Sequence, residues 1–92
     1  MNLGIKNKIA LVTGSSRGIG KASAISLAKE NVNLIICGRD KQTLNQSVAE
    51  IKKINPKTVG IQCDVTNEND LDTLVKEITE NIGNIDILVN NV

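Results

Sequence analysis

The sequence of 92 residues contains no Phe, Tyr or Trp. A core without aromatic rings must be built from Ile, Leu, Val and Ala, which are typical of buried parallel strands and of the helices that cover them. Histidine is also absent, and the two cysteines, Cys37 and Cys63, are far apart in the chain. These absences argue against a metal site. We expect both cysteines to be small buried thiols at strand ends, with an incidental redox role as the alternative.

An excess of charge and long apolar runs are also lacking. The net charge is +1, and no block of like charges occurs that would attract nucleic acid or an anionic membrane surface. No stretch approaches the roughly 20 apolar residues that span a bilayer, and residues 1–8 lack the apolar core of a secretion signal. We therefore expect a cytoplasmic protein with no nucleic-acid partner and no membrane partner.

Four short apolar runs alternate with segments in which apolar residues recur at helical spacing. The runs cover residues 8–13, 32–37, 58–63 and 85–89, and each predicts a strand. The helical segments carry Ala24, Ile25 and Ala28, then Leu44, Val48 and Ile51, then Leu71, Leu74, Val75, Ile78 and Ile82. The first run is continuously apolar, so we expect its strand to be covered on both faces.

Glycine, proline and polar residues predict where the helices begin and end. The first helix is expected over residues 21–30, after a glycine-rich turn over residues 14–20. Asp40 is the predicted N-cap of the second helix, and Pro56 prevents that helix from continuing into the third strand. Gly83 is expected to end the third helix.

A strand-helix-strand crossover is almost always right-handed, which predicts parallel strands with helices on both faces of the sheet. The sequence therefore predicts an α/β fold with a doubly wound parallel sheet in the spatial strand order 3-2-1-4. Ligands bind such sheets at the carboxyl ends of the strands, beside the point where the strand order reverses. Residues 14–20, Arg39, Asp64 and Asn90 are expected to converge there.

Residues 13–20 have the sequence T-G-S-S-R-G-I-G and link a predicted strand to a predicted helix. Glycines in this context let the backbone approach a diphosphate, and the free N–H groups at the helix start attract its negative charge. A P-loop is the competing interpretation, but Ala22 replaces the hydroxyl that binds Mg²⁺ in a P-loop, and Ile19 replaces its second glycine. We therefore expect a dinucleotide to bind at Gly14, Ser15, Ser16, Arg17, Gly18, Ile19 and Gly20.

This loop, with the threonine that precedes it, resembles the cofactor motif of the short-chain dehydrogenase/reductase family. Two later segments agree with the resemblance: Cys63-Asp64-Val65, and Leu88-Val89-Asn90-Asn91, which looks like the start of the N-N-A-G motif of the family. The chain is similar in particular to members like 3-oxoacyl-carrier-protein reductase. Val92 departs from the usual Ala of the motif, which is a mild change.

The resemblance implies a Rossmann-type fold and gives roles to three residues near the adenosine. Asp64 would accept a hydrogen bond from the adenine amino group, the backbone of Val65 would line the same pocket, and Asn90 would brace the loop near the ribose. A turn or helix-entry role is the alternative interpretation of Asp64. Asn90 and Asn91 would otherwise belong to a solvated chain end.

Two arginines stand where a phosphate on the adenosine ribose would lie. Arg17 and Arg39 are the two arginines among 11 basic residues, and a planar guanidinium forks onto phosphate oxygens as an ammonium cannot. An enzyme that prefers NAD commonly has an acid about 20 residues beyond the loop, where this chain has Gly38 and Arg39. The sequence therefore predicts NADP(H) as the cofactor. The alternative is that Arg39 is a solvated turn charge and Arg17 a loop charge. Asp40 could instead reach the ribose, which would admit NAD.

The resemblance also implies that residues 1–92 form the N-terminal part of a single dinucleotide-binding domain, without its C-terminal catalytic half. In the family, a Tyr general acid, a Lys four residues later, an upstream Ser and a helical Asn serve hydride transfer, and all four lie beyond Val92. We expect the intact protein to be an NADPH-dependent oxidoreductase that interconverts a ketone or 3-oxoacyl group and a secondary alcohol. No catalytic residue is assigned to the 92 residues, which are expected to be inactive alone.

Two other functions stay open: a non-catalytic dinucleotide-binding module, and a structural domain whose loop is empty. The intact enzyme is expected to act on a small-molecule substrate as a homo-oligomer, and acyl-carrier, sugar and steroid substrates all remain possible. If the 92 residues are the whole polypeptide, the fourth strand is an apolar edge that invites pairing with another chain. In that case we expect weak stability or self-association.

Overall fold

The computed structural model describes residues 8–14, 18–64 and 66–90, and the structural statements below refer to these residues. Strands and helices alternate in the order β1 (Ile9–Thr13), α1 (Gly18–Ala28), β2 (Asn33–Gly38), α2 (Lys41–Lys52), β3 (Val59–Gln62), α3 (Glu68–Asn81) and β4 (Ile87–Asn90). The order of elements predicted from the apolar runs is confirmed.

The four strands form one parallel sheet in the order β3-β2-β1-β4. The predicted strand order 3-2-1-4 is therefore confirmed, with the reversal between β1 and β4. The register brings the last residues of the strands side by side, because Thr13 pairs with Asn90 and Gly38 pairs with Gln62. We call the row formed by Thr13, Gly38, Gln62 and Asn90 the carboxyl edge of the sheet.

Helices cover both faces of the sheet because successive strand residues point to opposite sides. On one face, α1 and α2 pack on a buried cluster that includes Val12, Leu34 and Ile36. On the other face, α3 contributes Leu74 and Ile78 to a cluster with residues of β1 and β2: Leu11, Ile35 and Cys37. The expectation that β1 is covered on both faces is confirmed, since its residues from Ala10 onward are buried.

The helix ends differ from the sequence prediction at α1 and agree with it elsewhere. Helix α1 begins at Gly18, three residues earlier than predicted, so part of the predicted glycine turn belongs to the first helical turn. It ends at Ala28, before Asn31, which has a φ of 60°. Asparagine tolerates this left-handed conformation better than most residues and commonly follows a helix end. Gly83, with a φ of 147°, follows α3 as predicted.

The face covered by α3 is less complete than the other. Leu88 of β4 is 61% exposed, although its register partner Leu11 on β1 is fully buried. Val75 and Ile82, which the helical spacing placed with Leu74, are 38% and 46% exposed. Helix α3 therefore covers β1 and β2 and leaves this face of β4 open.

Asp40 is the N-cap of α2, as the sequence predicted. Its Oδ1 accepts hydrogen bonds from the backbone amides of Gln42 at 3.0 Å and Thr43 at 3.4 Å. Replacing Asp40 with alanine is therefore expected to lower the free energy of unfolding by about 0.5–2 kcal/mol. Urea denaturation followed by far-ultraviolet circular dichroism measures this loss.

The matched control is Asp40→Asn, because asparagine caps helices about as well as aspartate. We expect it to keep most of the stability that the alanine variant loses. Equal losses in the two variants would mean that the charge of Asp40, and not the cap, stabilises α2.

Candidate functional site

A side-chain hydrogen bond joins the ends of β1 and β4 at the strand-order reversal. The hydroxyl of Thr13, which is buried, donates to Oδ1 of the exposed Asn90 at 2.7 Å. The bond joins residues 77 positions apart and fixes the point where the chain leaves β1. Asn90 therefore lies beside the start of the glycine-rich loop. Asn91 lies outside the described residues.

The chain turns out of β1 through a glycine in a left-handed conformation. Gly14 has a φ of 65°, which a residue with a Cβ adopts only with strain. The next described residue, Gly18, is already helical, and with Ile19 and Gly20 it begins α1. Ser15, Ser16 and Arg17, which the sequence assigns to the same site, lie outside the described residues.

The start of α1 is electrically different from that of α3. The first turn of α1 contains no acidic residue, whereas the first turn of α3 contains Glu68 and Asp70. Because a helix N-terminus carries a partial positive charge, an acid in the first turn neutralises part of it. The partial positive charge at the start of α1 is therefore not neutralised by an acid in its own first turn. Such a helix start favours the binding of an anion.

Arg39 follows β2 directly at the carboxyl edge and is exposed. The backbone ladder between β2 and β3 continues to this point, since the amide of Cys63 donates to the carbonyl of Gly38 at 3.0 Å. One step further, Nε2 of Gln62 donates to the carbonyl of Arg39 at 3.2 Å. The sequence did not single out Gln62, because no local pattern signals a bond between residues 23 positions apart.

Asp64 lies just beyond β3 and holds a turn. Its Oδ1 accepts from the backbone amide of Thr66 at 3.0 Å and from the hydroxyl of Thr66 at 2.6 Å. These two hydrogen bonds, with a smaller attraction from the Arg39 guanidinium, lower the pKa of Asp64. The turn role that the sequence left open as the alternative is thus present. Val65 lies outside the described residues.

Cys37 and Cys63 precede Arg39 and Asp64 in the sequence, at the ends of β2 and β3. Both are buried and free, as expected from their positions at strand ends, and Sγ of Cys37 lies 3.7 Å from the carbonyl oxygen of Cys63. Burial, with a contribution from Cys63, raises the pKa of Cys37 to about 12. Because the thiolate is the reactive form, Cys37 is a poor nucleophile at neutral pH and fills space in the core.

A groove of about 210 Å³ lies between β3 and α3, close to the carboxyl edge. Its lining residues are Ile61, Gln62, Cys63, Asp70, Thr73, Leu74 and Glu77. The carboxylates of Asp70 and Glu77 make this groove unsuitable for a phosphate.

Within the described ranges, no three residues of His, Cys, Asp or Glu come together as a metal site. The three helices of these ranges are also too short or too polar to cross a membrane.

Comparison with known proteins adds a family match to this geometry. Residues 8–92 match the family described as short chain dehydrogenase. A 3-oxoacyl acyl-carrier-protein reductase of Staphylococcus epidermidis is 38% identical over 86 residues, which cover 92% of this chain and 35% of the relative. A 7alpha-hydroxysteroid dehydrogenase of Clostridium sardiniense is 38% identical over 87 residues, which cover 95% of this chain and 33% of the relative.

Solved structures of similar sequence share the fold. The L-sorbose reductase of Gluconobacter frateurii, in complex with NADPH and L-sorbose, superposes with a TM-score of 0.90 at 33% identity, over 100% of this chain and 35% of that chain. The predicted Rossmann-type fold is thereby confirmed. The chain spans about a third of the length of the relatives it matches.

Proposed function

The chain belongs to the short chain dehydrogenase family, and from that premise we propose that it is the NADP(H)-binding part of an oxidoreductase. The observation that supports the proposal is that two cationic features follow the carboxyl ends of the neighbouring strands β1 and β2. One is the start of α1, whose first turn has no acid. The other is Arg39, which is exposed where the chain leaves β2, the strand next to β1 in the sheet.

The diphosphate would bind where the chain passes from β1 to α1. The left-handed φ of Gly14 supports this, because glycine adopts that conformation without strain and brings no Cβ toward an approaching phosphate. In this proposal the main-chain amides of residues 14–20 hold the diphosphate. The hydrogen bond from Thr13 to Asn90 fixes the start of that loop.

The adenosine would lie across the ends of β2 and β3. Arg39, together with Arg17, would bind the 2′-phosphate, and Asp64 would accept from the adenine amino group beside the backbone of Val65. Both hydrogen bonds from Thr66 go to Oδ1 of Asp64, and in this proposal Oδ2 accepts from the adenine. Asp40 caps α2 through Oδ1, and a ribose held by Asp40, which would admit NAD, is the alternative that the titration below tests.

The cofactor supplies or accepts a hydride when bound, and the residues of this chain bind and orient its adenosine half. We propose a ketone or a 3-oxoacyl group as the reducible group of the intact protein, supported by the reductases and the steroid dehydrogenase among its relatives. The chain contains no Tyr, so we further propose that these 92 residues alone turn over no substrate. A small-molecule substrate and a homo-oligomeric intact enzyme belong to the same proposal.

Two small ligands that differ by one phosphate test the cofactor assignment. Isothermal titration of the purified protein with 2′,5′-ADP and with 5′-AMP isolates the 2′-phosphate. We expect 2′,5′-ADP to bind about 10- to 100-fold more tightly, because hydrogen bonds between charged partners contribute about 1.5–3 kcal/mol.

Equal affinity for the two ligands would remove the assignment of NADP(H) and leave a dinucleotide site without phosphate selection. If neither NADPH nor NADH binds at millimolar concentration, the dinucleotide function itself is wrong.

A further inference from the structure

The side chain of Gln62 reaches from β3 to the neighbouring strand at the carboxyl edge. Its Nε2 donates to the carbonyl oxygen of Arg39 at 3.2 Å, across 23 positions of sequence. The bond exists because the register places Gln62 beside Gly38, the residue before Arg39. It extends the link between β2 and β3 by one residue beyond the last backbone bond, which runs from Cys63 to Gly38.

Arg39 lies between two fixed points of the backbone. On one side, the carbonyl of Gly38 is held by the amide of Cys63 at 3.0 Å. On the other side, Asp40 is held as the N-cap of α2. Among the described residues, the contact that holds the carbonyl of Arg39 itself comes from Gln62.

We propose that Gln62 is a positioning residue that strengthens the preference of this protein for NADP(H) over NAD(H), which rests on the proposed function. The carbonyl and the side chain of Arg39 are attached through the same Cα, so a fixed carbonyl restricts the directions in which the guanidinium leaves the sheet. A guanidinium that is already oriented loses less conformational entropy when it binds a phosphate. Gln62 need not contact the cofactor to have this effect.

The orientation of the Arg39 guanidinium should affect the binding of NADPH and not the binding of NADH. NADPH carries the 2′-phosphate that Arg39 would bind, and NADH carries a hydroxyl at the same place. Loss of the hydrogen bond from Gln62 to Arg39 should therefore weaken the binding of NADPH alone. A purely structural role of Gln62 would instead weaken both cofactors, since both need the same strand ends.

The test uses Gln62→Met, which keeps the length of the side chain and removes the donor. Dissociation constants for NADPH and NADH are measured by isothermal titration for the wild type, Gln62→Met, Arg39→Ala and the double variant. We expect Gln62→Met to weaken NADPH about 3- to 10-fold, the range set by one ordinary hydrogen bond, and to leave NADH unchanged. In the Arg39→Ala background, Gln62→Met should have no further effect on NADPH.

Gln46→Met is the matched control, because Gln46 is exposed on α2 away from the carboxyl edge, and it should change neither constant. Thermal melting by circular dichroism checks that each variant is folded, and Gln62→Ala is the second variant if Gln62→Met associates or unfolds. The inference is overturned if Gln62→Met changes neither cofactor, weakens both alike, or acts fully in the Arg39→Ala background.

The outcome also separates this inference from the function on which it rests. If Arg39→Ala reduces the preference and Gln62→Met does not, the cofactor assignment stands and the role of Gln62 is wrong. If the wild type has no preference for NADPH, both are wrong.

Discussion

Replacing Arg39 with alanine is expected to weaken the binding of NADPH by about 10- to 100-fold and to leave the binding of NADH unchanged. Arg39 is exposed where the chain leaves β2, which lies between β1 and β3 in the sheet. In the proposed complex its guanidinium binds the 2′-phosphate through charge-assisted hydrogen bonds, which are about twice as strong as neutral ones. Isothermal titration of the purified protein with each cofactor measures both constants.

The control removes an equal charge far from the site. Lys53 is exposed and follows α2 at the end opposite to its N-cap Asp40, so Lys53→Ala changes the net charge of the protein as Arg39→Ala does. We expect it to change neither dissociation constant by more than about twofold, since exposed charges beyond a Debye length of roughly 10 Å are screened. A similar effect of both variants on NADPH would indicate general electrostatic attraction.

Arg17 can be tested in the same series. The sequence places it in the glycine-rich loop, and the double variant with Arg17→Ala and Arg39→Ala should bind NADPH no better than NADH. If the double variant keeps the wild-type ratio of the two constants, the assignment of the 2′-phosphate to these arginines is wrong.

Replacing Ile36 with alanine is expected to lower the free energy of unfolding by about 2–5 kcal/mol. Ile36 is fully buried in β2, within the cluster that α1 and α2 cover. The loss combines the transfer of apolar surface with the cavity that remains, since the backbone of a strand with neighbours on both sides cannot close it. A chain of this size has a total stability of only about 5–14 kcal/mol, so the variant should lose a large fraction of it.

Two matched variants make the result interpretable. Ile36→Val removes one methylene group and should cost about 0.5–1.5 kcal/mol. Ile54→Ala removes the same atoms as Ile36→Ala from a residue that is 44% exposed, and its cost should be much smaller because less surface leaves water on folding. Urea denaturation gives all three values. Equal losses for Ile36→Ala and Ile54→Ala would contradict the core that the structure describes.

The positions of the candidate site residues were predictable from the sequence where they follow from the order and direction of the strands. Parallel strands end at the same edge, so Arg39, Asp64 and Asn90, each at or just beyond a strand end, had to come near the turn that follows β1. The bond between Gln62 and Arg39 was not predictable, because it depends on the register of β2 and β3. The prediction that these residues bind a cofactor stays a prediction until the titrations are made.

The sequence by itself determined the order of strands and helices, the cap at Asp40 and the doubly wound sheet, because each follows from local spacing and from the handedness of crossovers. Only the tertiary structure decided which apolar residues are covered. Leu88 lies in an apolar run as Leu11 does, yet it is 61% exposed while Leu11 is buried. The reason is physical: a local pattern shows which residues favour burial, but burial itself depends on the neighbours that the fold brings to them.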